Sequence, residues 1–236
     1  MKPVSIGSVA LGEIPRVVAI VDEFFDMRRI GELKKTGVDI LEIRVDKLGA
    51  DIPALCVFID KIKKTFAFPC IGTVRETAEN KDKRIDIFTA ITPFVDAVDI
   101  EGDTPINRQV IALAAGKTVI VSEHDFEKTP DAAHLEALAA RAESLGADIV
   151  KIAAMAKSRH DVARLMAFTA AANRNMVAIA MGEFGAISRV LAPVFGSLFT
   201  YGYVTRSVAP GQLPVARLVD ELRLFYPAFK AKGGTP

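Results

Sequence analysis

Short apolar runs rich in β-branched residues recur along the chain, at residues 17–21, 40–43, 70–74, 97–100, 118–121, 149–152, 176–180 and 198–204. Their starts lie roughly 20–30 residues apart, the length of one strand plus one helix. Helical period and capping signals fill several of the gaps. Thr129-Pro130-Asp131 predicts a helix N-terminus with proline in the first turn. Leu135, Leu138, Ala142 and Leu145 then share a face, and Gly146 stops the helix. Ser158 with Asp161 resembles a capping box, and Thr104-Pro105 predicts another helix start with Val110 and Ile111 facing in. A last helix is expected over 214–229, burying Val215, Leu218, Val219, Leu222 and Phe225. Eight strand–helix repeats predict an α/β chain, a single (β/α)8 TIM barrel spanning 1–236. Residues 1–16 break the rhythm. The weak alternation of Val4, Ile6 and Ser8 predicts a hairpin covering the barrel floor, and 230–236 are expected to be a flexible tail.

Two segments echo each other. Gly37-Val38-Asp39-Ile40-Leu41-Glu42-Ile43-Arg44 matches Gly146-Ala147-Asp148-Ile149-Val150-Lys151-Ile152-Ala153, and 96–101 is a weaker third copy. If the echo is structural, Glu42, Asp99 and Lys151 occupy equivalent places on three strands.

Parallel barrel strands are covered on both faces and should be apolar throughout. The charges that break this pattern fall near the C-terminal ends of the strands: Glu42 and Arg44, Arg75, Asp99 and Glu101, His124, and Lys151. That rim is where barrels build active sites. Structural ion pairs are the alternative for any one of these charges. Lys151 has apolar neighbours in Ile149, Val150 and Ile152. Desolvation and cations such as Arg44 or Arg75 would favour its neutral amine, which can attack a ketone to form an iminium electron sink. Several aldolases place a lysine in this way. His124 directly follows the fifth strand and is the candidate for proton transfer, with Glu79 in a position to orient it. The loop at 181–189 carries Arg189 where a helix begins, and Ala209-Pro210-Gly211-Gln212 is a candidate lid. Neither is a Gly-Gly phosphate cradle, so a carboxylate ligand is expected.

Composition narrows the class further. Hydrophobic residues make up 50% of the 236, enough for a large core, and charged residues 25%. A net charge of +1 gives no field to recruit nucleic acid or an anionic membrane. No apolar run approaches the roughly 18 residues of a membrane span. Two cysteines, no signal peptide and no glycosylation sequon point to the cytoplasm. No second histidine or cysteine stands at metal-ligand spacing, so no metal is expected.

The ordered set Leu41-Glu42-Ile43-Arg44-Val45-Asp46, Thr73-Val74-Arg75 with Glu79, Ser122-Glu123-His124-Asp125-Phe126, Asp148-Ile149-Val150-Lys151-Ile152-Ala153, the stretch 181–189 and Ala209-Pro210-Gly211-Gln212 resembles the type I 3-dehydroquinate dehydratase family. The resemblance implies a homodimeric lyase that converts 3-dehydroquinate to 3-dehydroshikimate, on the route to aromatic amino acids, without a cofactor. It implies that Lys151 forms an imine with the substrate ketone, that His124 removes and returns the proton, and that Glu79 pairs with His124. Glu42, Arg44 and Arg75 would hold the hydroxyls. Arg189 and Gln212 would hold the carboxylate, with Met181 in the binding wall. Val208 stands where the family usually has serine; either the loop shifts so that Ser207, one residue earlier, substitutes, or one hydrogen bond to the carboxylate is lost. A phosphorylated-substrate aldolase would share Lys151 but need a phosphate cradle. A non-catalytic barrel would need neither Lys151 nor His124.

Overall fold

A computed structural model describes residues 2–49 and 51–232. Eight parallel strands of the described residues build the barrel: β1 (Arg16–Val21), β2 (Ile40–Arg44), β3 (Cys70–Thr73), β4 (Ala97–Glu101), β5 (Thr118–Asp125), β6 (Ile149–Met155), β7 (Met176–Met181) and β8 (Phe199–Tyr203), with a two-residue parallel strand, Leu213–Pro214, paired to the end of β8. Each is followed by a helix: α1 (Met27–Thr36), α2 (Ile52–Phe66), α3 (Arg84–Ile91), α4 (Asn107–Leu113), α5 (Ala132–Leu145), α6 (Arg159–Ala171), α7 (Ser188–Leu191) and α8 (Val215–Phe225). Neighbouring strands pair in sequence order, and β1 also pairs with β8, Thr200 opposite Val17 and Gly202 opposite Ala19. The remaining seam, between β7 and β8, is narrow. It is closed by the Met176–Ser197 bridge and by Leu198 N–H donating to the Met176 carbonyl at 3.0 Å. All eight apolar runs are therefore barrel strands, and β5 and β6 extend past the expected ends.

The sequence echo has a physical basis. Asp39, Asp96 and Asp148 each precede an even-numbered strand. Each accepts a 2.9 Å hydrogen bond on its carboxylate from the backbone N–H of the preceding strand, at Val17, Cys70 and Val119 respectively. Each also returns its own N–H to that residue's carbonyl, at 2.8–2.9 Å. This two-point clamp fixes where the strand begins. It therefore puts the residue three positions on, Glu42, Asp99 or Lys151, at the same height and facing inward.

Inward positions at the N-terminal end are apolar. Val18, Ile71, Ile120 and Val177 from the odd strands, with Ile40, Ala97, Ile149 and Phe199 from the even ones, form one buried cluster. Burying each larger aliphatic side chain contributes about 1.5–3 kcal/mol. Ser5–Ile6 and Val9–Ala10 pair as an antiparallel hairpin, and Ile6 and Leu11 join that cluster from below. Outward positions pack against the helices in a second cluster, which takes Val17, Leu41, Val98, Val121 and Val150 from the strands and Leu55, Phe88, Leu135, Leu165 and Leu218 from the helices.

Several helix ends differ from expectation by a residue or two. The N-cap of α5 is Asp131, whose carboxylate accepts from His134 N–H, so Pro130 lies outside the helix. Gly146 ends it in the left-handed region, as expected. Ser158 caps α6 through Asp161 N–H, and the Asp161 carboxylate reaches back to Lys157 N–H. α4 begins at Asn107, two residues beyond Pro105. The single last helix expected over 214–229 is two, α8 and α9 (Pro227–Lys232). Pro227 forces the residue before it out of the helical region, and Tyr226 is extended. Residues 230–232 are helical rather than a loose tail; 233–236 lie outside the described residues. No helix of the described residues is long and apolar enough to cross a membrane.

Candidate active site

One pleat above the apolar floor, the inward residues of the even strands are Glu42, Asp99, Lys151 and Tyr201. Barrel interiors stack such residues in fours from alternate strands. Here the four are polar and touch one another. Lys151 Nζ donates to Asp99 Oδ2 at 2.7 Å and to Tyr201 Oη at 3.0 Å, and lies 3.7 Å from Glu42 Oε2. The ammonium also sits 4.4 Å from the centre of the Tyr201 ring. Glu42 accepts from Thr73 Oγ1 at 2.8 Å. Asp99 accepts from Ser122 Oγ at 2.6 Å and from Arg75 Nη2 at 2.7 Å. Burial works to raise the Asp99 carboxyl, but Arg75 and Lys151 outweigh it and hold the group well below the usual carboxylate range.

Lys151 is only 4% exposed, in line with its apolar sequence neighbours. Its immediate charge partners, however, are carboxylates. The arginines expected beside it stand further off: Arg75 reaches Asp99 from the other side, and Arg44 forms a two-point pair with Asp46 at 3.0 and 2.7 Å.

These groups open into a cavity of about 500 Å³ at the C-terminal mouth. His124, Arg44, Arg75, Met181, Arg189 and Gln212 line it along with Glu42, Lys151 and Tyr201. His124 stacks on Phe126 with ring centres 6.0 Å apart. Burial, then the nearby cations Arg75 and Lys151, push its imidazole well below the ordinary histidine range, so it is a neutral base at pH 7. Arg189 is 2% exposed and has no carboxylate partner among the described residues. Its Nε lacks a hydrogen bond, and Nη2 makes a long 3.5 Å contact to the Pro210 carbonyl. Burial pulls its pKa down to about 10, which leaves it a cation at neutral pH. A dry, unpaired guanidinium of this kind is a receptor for a carboxylate. Gln212 accepts from Val208 N–H through Oε1 at 3.0 Å, which leaves its amide nitrogen for the same anion. Gly211 is at φ +74°, and a β-carbon there would collide with the Gly182 carbonyl. The loops after β7 and β8 close on each other at that glycine. Ile20, Ile179, Met181 and Val208 form an apolar wall. Among the described residues no group of three His, Cys, Asp or Glu is placed to hold a metal ion.

A sequence profile described as Type I 3-dehydroquinase matches residues 18–228. The chain belongs to the type I 3-dehydroquinase family. Similar family proteins include the 3-dehydroquinate dehydratase of Methanocella arvoryzae, 37% identical over 89% of this chain and 96% of that protein. That of Methanosarcina barkeri is 38% identical over 94% and 99%. A solved type I 3-dehydroquinate dehydratase of Clostridium difficile, carrying covalently modified comenic acid, superposes with a TM-score of 0.85 at 27% identity. The match covers 96% of this chain and 99% of that one. The Geobacillus kaustophilus enzyme superposes with a TM-score of 0.84, also at 27% identity, over 96% and 97%.

Eight of the residues singled out by the family resemblance meet at the cavity: Lys151, His124, Glu42, Arg44, Arg75, Arg189, Gln212 and Met181. Two do not. Glu79 is exposed and off the cavity, in a turn that Asn80 ties down by accepting from Thr77 N–H and donating to the Arg75 carbonyl, both at 2.8 Å. The turn points Glu79 to solvent, and Glu76 is the glutamate of this loop at the cavity. Ser207 is exposed, and its hydroxyl donates to the Ala209 carbonyl at 2.7 Å, so it does not replace the missing serine. Val208 faces the cavity instead. Sequence reasoning missed Tyr201, whose apolar surroundings read as ordinary core. Asp99 stands out in the sequence as a misplaced charge, but no local pattern gives it a role.

Proposed function

We propose that this chain dehydrates 3-dehydroquinate to 3-dehydroshikimate through an imine on Lys151. The observation that carries this reading is a buried lysine in the same cavity as a neutral imidazole and an unpaired, buried arginine. Arg189 and the Gln212 amide nitrogen take the substrate carboxylate. Arg75 Nη1, which makes no hydrogen bond, Arg44 and Glu42 take ring hydroxyls, and the Met181 wall packs the carbocycle. The Lys151 amine attacks the C3 ketone, and water leaves to give an iminium. Neutral His124 removes the C2 proton, and the iminium accepts the electrons as an enamine. The enamine then expels the C1 hydroxyl, which takes the proton back from His124 and departs as water. Hydrolysis of the imine frees product and lysine. No external electron sink is required.

The family relatives support the substrate assignment, and the free, buried Cys56 and Cys70 suit the reducing cytoplasm we assign to it. We read the chain as one domain serving one site. A homodimer is proposed on the exposed apolar run Ile187, Leu191 and Val194, beside which Tyr226 Oη of the C-terminal segment donates to the Val190 carbonyl at 2.7 Å. The test of function is incubation of the purified protein with 3-dehydroquinate while following the absorbance of the conjugated enone product. Catalysed appearance of 3-dehydroshikimate is expected; none above the uncatalysed rate would overturn the reading.

A further inference from the structure

We propose that Tyr201 is a catalytic proton relay, passing a proton from the Lys151 ammonium to the Glu42 carboxylate and so freeing the amine to attack the substrate ketone. The proposal rests on the imine chemistry above and adds a residue and a step to it. An ammonium has no lone pair, so Lys151 must lose a proton before it can act.

The structure limits where that proton can go. Lys151 donates to Asp99 and to Tyr201, and makes no hydrogen bond to His124. Asp99 already accepts from Ser122 and Arg75. Two cations hold it ionised against its own burial, so it anchors the ammonium without taking its proton. Glu42 Oε2 is 3.7 Å from Nζ, too far for a hydrogen bond. The Tyr201 hydroxyl stands at this gap: it accepts from Lys151 at 3.0 Å and donates to no other group among the described residues, and the Glu42 carboxylate, 3.7 Å from the same Nζ and one of the four inward groups of this layer, is the acceptor close enough to act on the phenol. Burial, with Glu42 and Asp99 nearby, pushes the phenol well above its ordinary pKa, so it rests as a neutral O–H able to accept and donate at once.

The step balances. Lys151 N–H breaks as a proton reaches Tyr201 Oη, and the Tyr201 O–H proton passes to Glu42. The amine becomes neutral, tyrosine is unchanged, and Glu42 becomes a carboxylic acid. After the amine adds to the ketone, Glu42 returns this proton by the same route to the departing carbinolamine hydroxyl. The sum is ammonium plus ketone giving iminium plus water.

The test is rapid-quench borohydride trapping in a single turnover with 3-dehydroquinate, comparing wild type with Tyr201→Phe, which keeps the ring under the ammonium. Imine formation should slow by about ten-fold or more while KM stays within about two-fold. A second measurement uses the wild type alone: the rate of that step in mixed light and heavy water should curve with deuterium fraction, as expected for two protons moving together. Trapping by Tyr201→Phe within about two-fold of wild type, or a linear deuterium dependence in the wild type, overturns the relay. Should the variant fail to fold, the deuterium dependence decides. Wild type that traps no adduct on Lys151 overturns the imine reading itself, a result distinct from failure of the relay.

Discussion

The floor and the mouth of this barrel are built by the same strands, one pleat apart, and they obey opposite rules. On β2 the inward residues run Ile40 then Glu42; on β4, Ala97 then Asp99; on β5, Ile120, Ser122, then His124; on β6, Ile149 then Lys151. The floor residues are 0% exposed and carry no charge to satisfy. The mouth buries Glu42, Asp99, Lys151 and Arg189 at a desolvation cost that only partners or a ligand can offset. Most of these charges have partners already. Arg189 lacks one, which makes it the place where bound substrate gains most. Stability is thus concentrated at the N-terminal ends of the strands and chemistry at the C-terminal ends, and changes at the two ends should have separable effects.

The largest expected effect lies at the floor. Ile120→Ala opens a cavity among the lowest inward residues and should cost about 2–5 kcal/mol of stability in chemical denaturation, with kcat unchanged at a temperature where the variant stays folded. A kcat that falls with stability would mean that the floor shapes the site. At the mouth the opposite is expected. Arg189→Leu removes a desolvated, unpaired cation, so its Tm should match or exceed that of the wild type. Its KM should rise about 10–100-fold through loss of a charge-assisted hydrogen bond worth about 1.5–3 kcal/mol. A lower Tm with unchanged KM would show Arg189 to be a structural residue.

The pH dependence sharpens the contrast. His124 is held neutral by burial and neighbouring cations, so the acid limb of kcat/KM, if it reports this base, should fall below pH 6.5. The unfolded chain takes up that proton first, so the same histidine should also reduce stability as pH drops below 6.5. Arg75→Met should move the limb upward; an unmoved limb would mean that Arg75 does not set the imidazole. The smallest effect is expected from Val208→Ser. It places a hydroxyl on the loop proposed to hold the substrate carboxylate and should lower KM several-fold without changing kcat. An unchanged KM would show that Arg189 and Gln212 suffice.

Much of this division could be read from the sequence. Parallel strands covered on both faces must be apolar, so the eight runs stood out, and so did the charges that interrupt them. The aspartate clamps made the Glu42–Asp99–Lys151 equivalence visible as an echo. Details that depend on three-dimensional packing were less legible. Glu79 matches the family motif, but the Asn80 hydrogen bonds that turn it outward leave no local pattern. Tyr201 lies in an apolar run, and only packing shows that its hydroxyl meets Lys151. Arginines were expected around that lysine because they share its rim, whereas the clamps bring carboxylates into contact with it. The apolar spacing of the last helix continues past Pro227 and hides the break there.

The most direct test of the central claim is borohydride reduction in the presence of 3-dehydroquinate, followed by peptide mass mapping. A stable adduct confined to the peptide bearing Lys151, absent without substrate and absent in Lys151→Met, is the expected result. Turnover of 3-dehydroquinate with no adduct at Lys151, or with the adduct on another lysine, would contradict the account.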